Sequence, residues 1–183
     1  MSATPVPLRR DPNLVGIGLF IASESLFFLG VVIAYGVFRE QGLATAKAQL
    51  DLGRTAIFSA LLFASSGTVA RAVATRSRAW LALTVALGAA FLIGQSLEYV
   101  RLLGAGLRPG TELFGTTFFT LTGLHALHVL VGLALLSTLL GASTARRSRV
   151  GASAWEGIAM YWHFVDAVWV VVFSVVYLGT FVG

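Results

Sequence analysis

Five long apolar blocks constrain the fold of this chain more than any other feature of its sequence. They span residues 13–37, 53–74, 80–103, 114–140 and 155–182. At a rise of 1.5 Å per residue, a helix made from any of them would cross the ~30 Å hydrocarbon core of a bilayer. Strands of a membrane barrel alternate over only about ten residues, and a single segment in lipid must satisfy its own backbone hydrogen bonds. The blocks therefore predict five transmembrane helices.

The composition agrees with a protein that is covered largely by lipid. Of the 183 residues, 57% are hydrophobic and 11% are charged, whereas about 25% of the residues in a soluble domain are charged. The segments between the blocks are short and leave little room for a soluble domain. We therefore predict an all-α, polytopic membrane protein, with a single five-helix bundle over residues 13–183 and a cytoplasmic tail over residues 1–12.

The basic residues lie near the ends of the blocks, where they act as topology signals and not as a surface for nucleic acid. The side that holds the N-terminus carries eight of the 13, which are Arg9, Arg10, Arg71, Arg76, Arg78, Arg146, Arg147 and Arg149. The other side carries Arg39, Lys47, Arg54, Arg101 and Arg108. The positive-inside rule then predicts a cytoplasmic N-terminus and an external C-terminus. The sequence has no cysteine, which excludes disulfides and thiolate metal sites.

Six Asp, Glu and His residues lie well inside the predicted helices, away from their ends. They are Glu24, Glu98, His125, His128, His163 and Asp166. A charged side chain at mid-membrane costs about 2.5–3.5 kcal/mol on insertion scales, so such residues normally face other helices. His125 and His128 share a helix face because they are three residues apart, and the same holds for His163 and Asp166. We expect a buried polar layer that joins the first, fourth and fifth helices.

Three functions of this layer are consistent with the residues alone. Two histidines at this spacing could hold a metal ion, with His163 as a third ligand, and facing histidines could ligate haem. Carboxylates and imidazoles could also relay protons or ions, although no internal repeat or broken helix indicates a transporter. The third interpretation is structural, with interhelical hydrogen bonds worth about 0.6 kcal/mol each.

Four segments resemble, in the same order, the signatures of subunit III of the haem-copper oxidases. They read FIASESLFFLG, GQSLEYVRLL, GTTFFTLTGLHALHVLVGL and YWHFVDAVWVVVFSVVYL. The resemblance covers the chain from Asn13 onwards. The commonest family form has seven helices, so this chain is similar to the short, five-helix bacterial form. The cleft that holds phospholipid in the longer proteins would therefore be incomplete here.

The resemblance implies an accessory, non-catalytic subunit of a cytochrome c oxidase in the bacterial inner membrane. It implies that this chain has no redox centre and that the haems and copper belong to partner subunits. Subunit I would be the main contact, and subunit II would lie in the same complex. The chain would support the stability and the proton uptake of subunit I. Bound phospholipid and a respiratory supercomplex are compatible with this role.

The resemblance also assigns roles to the polar residues. Glu24 matches the family's carbodiimide-reactive carboxyl, and the other five match further polar positions of the family's helices. His163 and Asp166 are then expected to hold the fifth helix in the bundle and not to ligate a metal. The equivalent subunit of a quinol oxidase or of a nitric oxide reductase is an alternative, and a free-standing transporter is an alternative of another class.

Overall fold

The computed structural model describes residues 11–42, 44, 47–48, 50–110, 112–144 and 150–182. It contains five long helices: α1 (Pro12–Phe38), α2 (Leu52–Thr75), α3 (Arg78–Gly104), α4 (Leu113–Thr144) and α5 (Ala152–Phe173). All five are long and apolar enough to cross a membrane, and these ranges contain no strand. The prediction of an all-α, five-helix membrane protein is confirmed.

The ends of the helices depart from the predicted blocks by a few residues. A 3₁₀ turn, Arg39–Gly42, extends α1, and a π-helical turn, Ser174–Leu178, extends α5 before a last helical turn, Gly179–Val182. α4 runs on to Thr144, four residues beyond its predicted block. The basic residues at positions 9, 10, 146, 147 and 149, and most of the predicted tail, lie outside the described residues.

Four of the helices form a closed ring, and the fifth packs on its outside. α2 packs on α3, α3 on α4, α4 on α5, and α5 on α2, while α1 lies along the groove between α4 and α5. The short connections make consecutive helices antiparallel. Only Phe28 and Tyr35 of α1 are buried, so α1 presents most of its apolar surface outwards, as a lipid-facing helix can.

Trp162 of α5 is the central contact of the ring. Its side chain is fully buried, and its indole N–H donates to Ser65 Oγ of α2 at 2.8 Å. Gly88 of α3 and Gly132 of α4 make room for the ring, because a Cβ on either glycine would lie 2.6 or 2.8 Å from it. Small residues of this kind let membrane helices approach closely. One side chain thus touches the three other helices of the ring.

Hydroxyl groups on the inner face of α2 supply further hydrogen bonds within the ring. Trp169, seven residues after Trp162, donates through its indole N–H to Ser59 Oγ at 2.8 Å. Thr68 Oγ1 lies 2.8 Å from Thr84 Oγ1 of α3. These bonds satisfy polar atoms that would otherwise be buried in an apolar core at a cost of about 1–3 kcal/mol each. They also set the rotation of α2 relative to α3 and α5.

Asp11 connects the start of α1 to the start of α5. Its carboxylate caps α1 by accepting from the Asn13 N–H at 3.0 Å, and it accepts from the Ser153 hydroxyl at 2.5 Å. The hydroxyl bond and then the backbone bond lower the pKa of Asp11 from its ordinary value of 3.8. The stabilisation from this carboxylate is therefore present above pH 3.8 and is lost as the pH falls through the lower folded-state pKa.

We expect Ser153→Ala to raise the pKa of Asp11 towards 3.8, because the largest of the bonds that favour the charged form is removed. The pKa is measured by titrating the ¹³C carboxyl resonance of Asp11 in detergent micelles. Ser143→Ala is the control, since that hydroxyl donates within α4 to Leu140 O. An unchanged pKa in Ser153→Ala would show that the contact between the two helix ends does not form.

Candidate functional site

The six residues of the predicted polar layer occupy four separate places. The Glu24–His128 pair lies between α1 and α4, and the His163–Asp166 pair faces α2. His125 lies inside the ring, and Glu98 lies near the C-terminal end of α3.

Glu24 and His128 form an ion pair or hydrogen bond across the α1–α4 contact. Glu24 Oε2 lies 3.3 Å from His128 Nε2, and His128 Nδ1 lies 2.9 Å from the carbonyl oxygen of Leu124. A carbonyl only accepts, so Nδ1 must carry a proton. The Nε2–Oε2 contact then holds one further proton, on either the imidazole or the carboxyl group. The pair is a proton-holding site in which the side chains of Glu24 and His128 are 24% and 12% exposed.

His163 and Asp166 are joined through Ser66 of α2. Ser66 donates its hydroxyl proton to Asp166 Oδ2, and its Oγ lies 3.1 Å from His163 Nδ1. Because Ser66 has only one proton to give, the contact with His163 requires that Nδ1–H donates to Ser66 Oγ. The three side chains form a directed chain from His163 to Ser66 to Asp166. Asp166 is buried, whereas His163 is exposed on the outer surface of α5.

His125 is enclosed by aromatic rings. It is 1% exposed, stacks on Trp169 with a centroid distance of 4.7 Å, and forms a T-shaped contact with Phe91 at a centroid distance of 5.9 Å. Neither ring nitrogen has a hydrogen-bond partner among the described residues. The imidazole therefore acts here as a flat packing element, in the way an aromatic side chain does.

Glu98 is 2% exposed and is held by Arg101, which follows it by three residues on α3. Arg101 Nε donates to Glu98 Oε2 at 3.1 Å, and a second guanidinium nitrogen donates to Oε1. This two-bond arrangement is the strongest form of such a pair. The next residue, Tyr99, joins α3 to α4, because its Oη lies 2.6 Å from Thr122 Oγ1.

The predicted polar layer therefore differs from the observed arrangement. Glu24 and His128 join α1 to α4, and His163 and Asp166 join α5 to α2. Glu98, His125 and Asp166 are buried, Glu24 and His128 are partly exposed, and His163 is exposed. The sequence reasoning missed Ser66. Its only signal was the pair of serines in the apolar run LLFASSGTVA.

The six polar side chains provide hydrogen bonds and one proton shared by Glu24 and His128. They do not come together as a set of metal ligands. Within the described ranges, no group of three or more His, Asp or Glu side chains could hold a metal ion. Both nitrogens of His128 are engaged, and the ring of His125 packs against Phe91 and Trp169. The side chains present thus fit a structural or proton-holding role better than a haem or metal site.

Comparison with known proteins identifies a family for almost the whole chain. The family model described as cytochrome c oxidase subunit III matches residues 10–181. The cytochrome c oxidase subunit 3 of Corynebacterium diphtheriae is 34% identical, over 94% of this chain and 91% of its own length. The corresponding protein of Synechocystis is 37% identical over 92% of this chain and 76% of its own. The probable subunit 3 of Mycobacterium leprae is 33% identical, over 91% and 88% respectively.

Proposed function

Because this chain belongs to the cytochrome c oxidase subunit III family, we propose that it is the accessory, non-catalytic third subunit of a respiratory oxidase that passes electrons from cytochrome c to oxygen. The family match over residues 10–181 carries this proposal. In it, the chain packs on subunit I beside subunit II in the bacterial inner membrane, with its N-terminus in the cytoplasm. The haems and copper that reduce oxygen reside in those partners.

The chemistry of the buried polar groups supports a role without electron transfer in this chain. The Glu24–His128 pair joins α1 to α4, the Ser66 bonds join α5 to α2, and Tyr99, next to Glu98, joins α3 to α4. His125 fills the interior of the ring. Contacts of this kind hold a rigid body together, which is what an accessory subunit needs in order to stabilise a neighbour. The Glu24–His128 pair adds a proton-holding group for the proposed support of proton uptake.

We expect a lipid-soluble carbodiimide to label Glu24 in preference to Glu98. The reagent needs a carboxyl group that it can reach and that holds a proton. Glu24 is partly exposed to the membrane and shares a proton with His128, whereas Glu98 is enclosed and bound to Arg101. Peptide mapping by mass spectrometry checks the position, and Glu24→Gln should remove the label. Equal labelling of Glu98 would contradict the assignment of Glu24 as the reactive carboxyl.

We expect Asp166→Leu to weaken assembly of the complex and not the electron transfer within it. The substitution removes the acceptor of the Ser66 hydroxyl and so loosens α5 from α2. Asp166→Asn, which keeps an acceptor oxygen, should retain most of the assembly. Subunit stoichiometry and haem reduction are measured on the same purified sample. A variant with full stoichiometry but no haem reduction would contradict the accessory role.

Purification in mild detergent from the native membrane, followed by a reduced-minus-oxidised optical spectrum, tests the proposed function. Haem a bands that accompany a larger co-purifying subunit are expected. Haem b and o bands would instead indicate a quinol oxidase, and haem b with haem c would indicate a nitric oxide reductase. A solitary chain without haem would overturn the subunit role and favour a transporter.

A further inference from the structure

The triad of His163, Ser66 and Asp166 has one exposed end and one buried end. His163 lies on the outer surface of α5, whereas Asp166 is 5% exposed. Ser66 of α2 connects them, because its Oγ lies 3.1 Å from His163 Nδ1 and its hydroxyl donates to Asp166 Oδ2. A hydroxyl group can accept one proton while it gives up another. The triad is therefore a continuous path for a proton between the surface of α5 and its buried face.

The triad carries one negative charge when its bonds run in this direction. His163 is neutral with its proton on Nδ1, and Asp166 is a carboxylate that accepts from Ser66. Asp166 lies near the middle of the span Ala152–Leu178, where a charged carboxylate is costly. Its second oxygen, Oδ1, is buried and has no hydrogen-bond partner among the described residues, and an unpaired oxygen costs more on a charged group than on a neutral one. Uptake of one proton would remove both penalties.

The other ionisable groups around α5 are engaged elsewhere and do not balance this charge. α5 packs against α1, α2 and α4. Glu24 of α1 and His128 of α4 contact each other, and Tyr161 of α5 donates to the carbonyl oxygen of His128. His125 of α4 stacks on Trp169, and the guanidinium of Arg71 on α2 lies over Trp80 of α3.

Asp166 consequently has no cation against it in the part of the chain that the structure describes, and Ser66 is the side chain that binds it. The proton content of Asp166 is then coupled most directly to that of His163, through the one hydroxyl group that lies between them.

We propose that His163, Ser66 and Asp166 form a proton-binding site in which His163 takes up a proton at its exposed ring and Asp166 holds it. A proton from water binds the lone pair of His163 Nε2. The N–H bond at Nδ1 breaks as its proton passes to Ser66 Oγ, and the original Ser66 O–H bond breaks as a new O–H bond forms at Asp166 Oδ2. His163 is neutral before and after this step, with its proton moved from Nδ1 to Nε2. Ser66 regains its hydroxyl proton, and the carboxylate becomes a neutral carboxylic acid.

This site is separate from the Glu24–His128 pair, which lies between α1 and α4. It consists of residues of this chain alone, so it does not depend on the proposed role in an oxidase.

Solid-state NMR of the full chain in lipid bilayers tests the site, with ¹⁵N-labelled histidine and ¹³C-labelled aspartate. The sequence has three histidines, and single substitutions assign their signals and those of the aspartates. As the pH falls, the Asp166 carboxyl is expected to change from carboxylate to acid. At the same midpoint, the His163 proton should move from Nδ1 to Nε2 without formation of an imidazolium. A common midpoint is what two strongly coupled groups show.

Substitutions of serine test the path through Ser66. Ser66→Ala removes the connecting hydroxyl and should separate the midpoints of His163 and Asp166 by about one pH unit or more, a tenfold difference in proton affinity. Ser66→Thr keeps a hydroxyl and should retain the common midpoint. Ser25→Ala is the matched control, because that hydroxyl donates within α1 to Ile21 O and should leave both titrations unchanged.

The wild-type titration decides the proposal even if a variant fails to fold. An Asp166 carboxyl that stays in one state over the pH range in which the protein remains folded would overturn it. Formation of an imidazolium at His163 would also overturn it, as would a proton that stays on Nδ1 while Asp166 titrates. A common midpoint that survives in Ser66→Ala would show that the proton does not pass through Ser66.

Discussion

Replacing Gly132 by leucine is expected to disrupt the four-helix ring. A Cβ at this position would lie 2.8 Å from the six-membered ring of Trp162 and 3.3 Å from Tyr161, both closer than ordinary van der Waals contact. The remaining carbons of leucine would have to enter the space that Trp162 fills. Overpacking in a dense core usually costs about 1–3 kcal/mol, and we expect a loss of about 3 kcal/mol or more here because neither neighbour can move out of the core.

Gly141 provides the control within the same helix. A Cβ there meets nothing within 4 Å, and the residue is exposed near the end of α4, so Gly141→Leu should change the stability little. The free energy of unfolding is measured for both variants by reversible denaturation in mixed micelles with increasing sodium dodecyl sulfate. Equal effects of the two substitutions would show that Trp162 does not lie against α4 as described.

Replacing Trp162 by alanine is expected to have a comparable or larger effect. The side chain is fully buried and fills the space between Gly88 and Gly132, so its removal leaves a cavity that two glycines cannot close. Substitutions of buried tryptophan by alanine cost about 3–5 kcal/mol. Trp162→Phe should cost less, because it keeps an aromatic ring in the core. It still loses the hydrogen bond to Ser65, roughly 1 kcal/mol, and the indole atoms beside Gly88.

Trp80 is the matched control for a tryptophan in a different environment. It lies at the start of α3, is 38% exposed, and has Arg71 over its ring at 6.0 Å. Trp80→Ala should therefore lower the free energy of unfolding by much less than Trp162→Ala does. The same denaturation measurement gives the free energy of unfolding of both variants. Equal values for Trp162→Ala and Trp80→Ala would contradict the central position of Trp162.

The helices of this protein could be predicted from its sequence, because a segment that crosses lipid must form hydrogen bonds between its own peptide groups. A block such as residues 114–140 must be helical to satisfy its own peptide groups, whatever packs against it. The i, i+3 spacing of His163 and Asp166 likewise placed the two side chains on one face of α5, and the structure shows both against Ser66. Structural features that depend on a single helix could therefore be predicted from the sequence.

The sequence by itself thus determined the number of helices, their approximate bounds and which residues share a face of each helix. The tertiary structure decided which faces meet. Apolar residues surround each helix almost completely, so hydropathy does not say how a helix is rotated, and the position of Ser66 opposite Asp166 could not be read from either segment. That rotation follows from close packing at particular points, above all Trp162 between Gly88 and Gly132, because in lipid it is fit between surfaces that holds helices together.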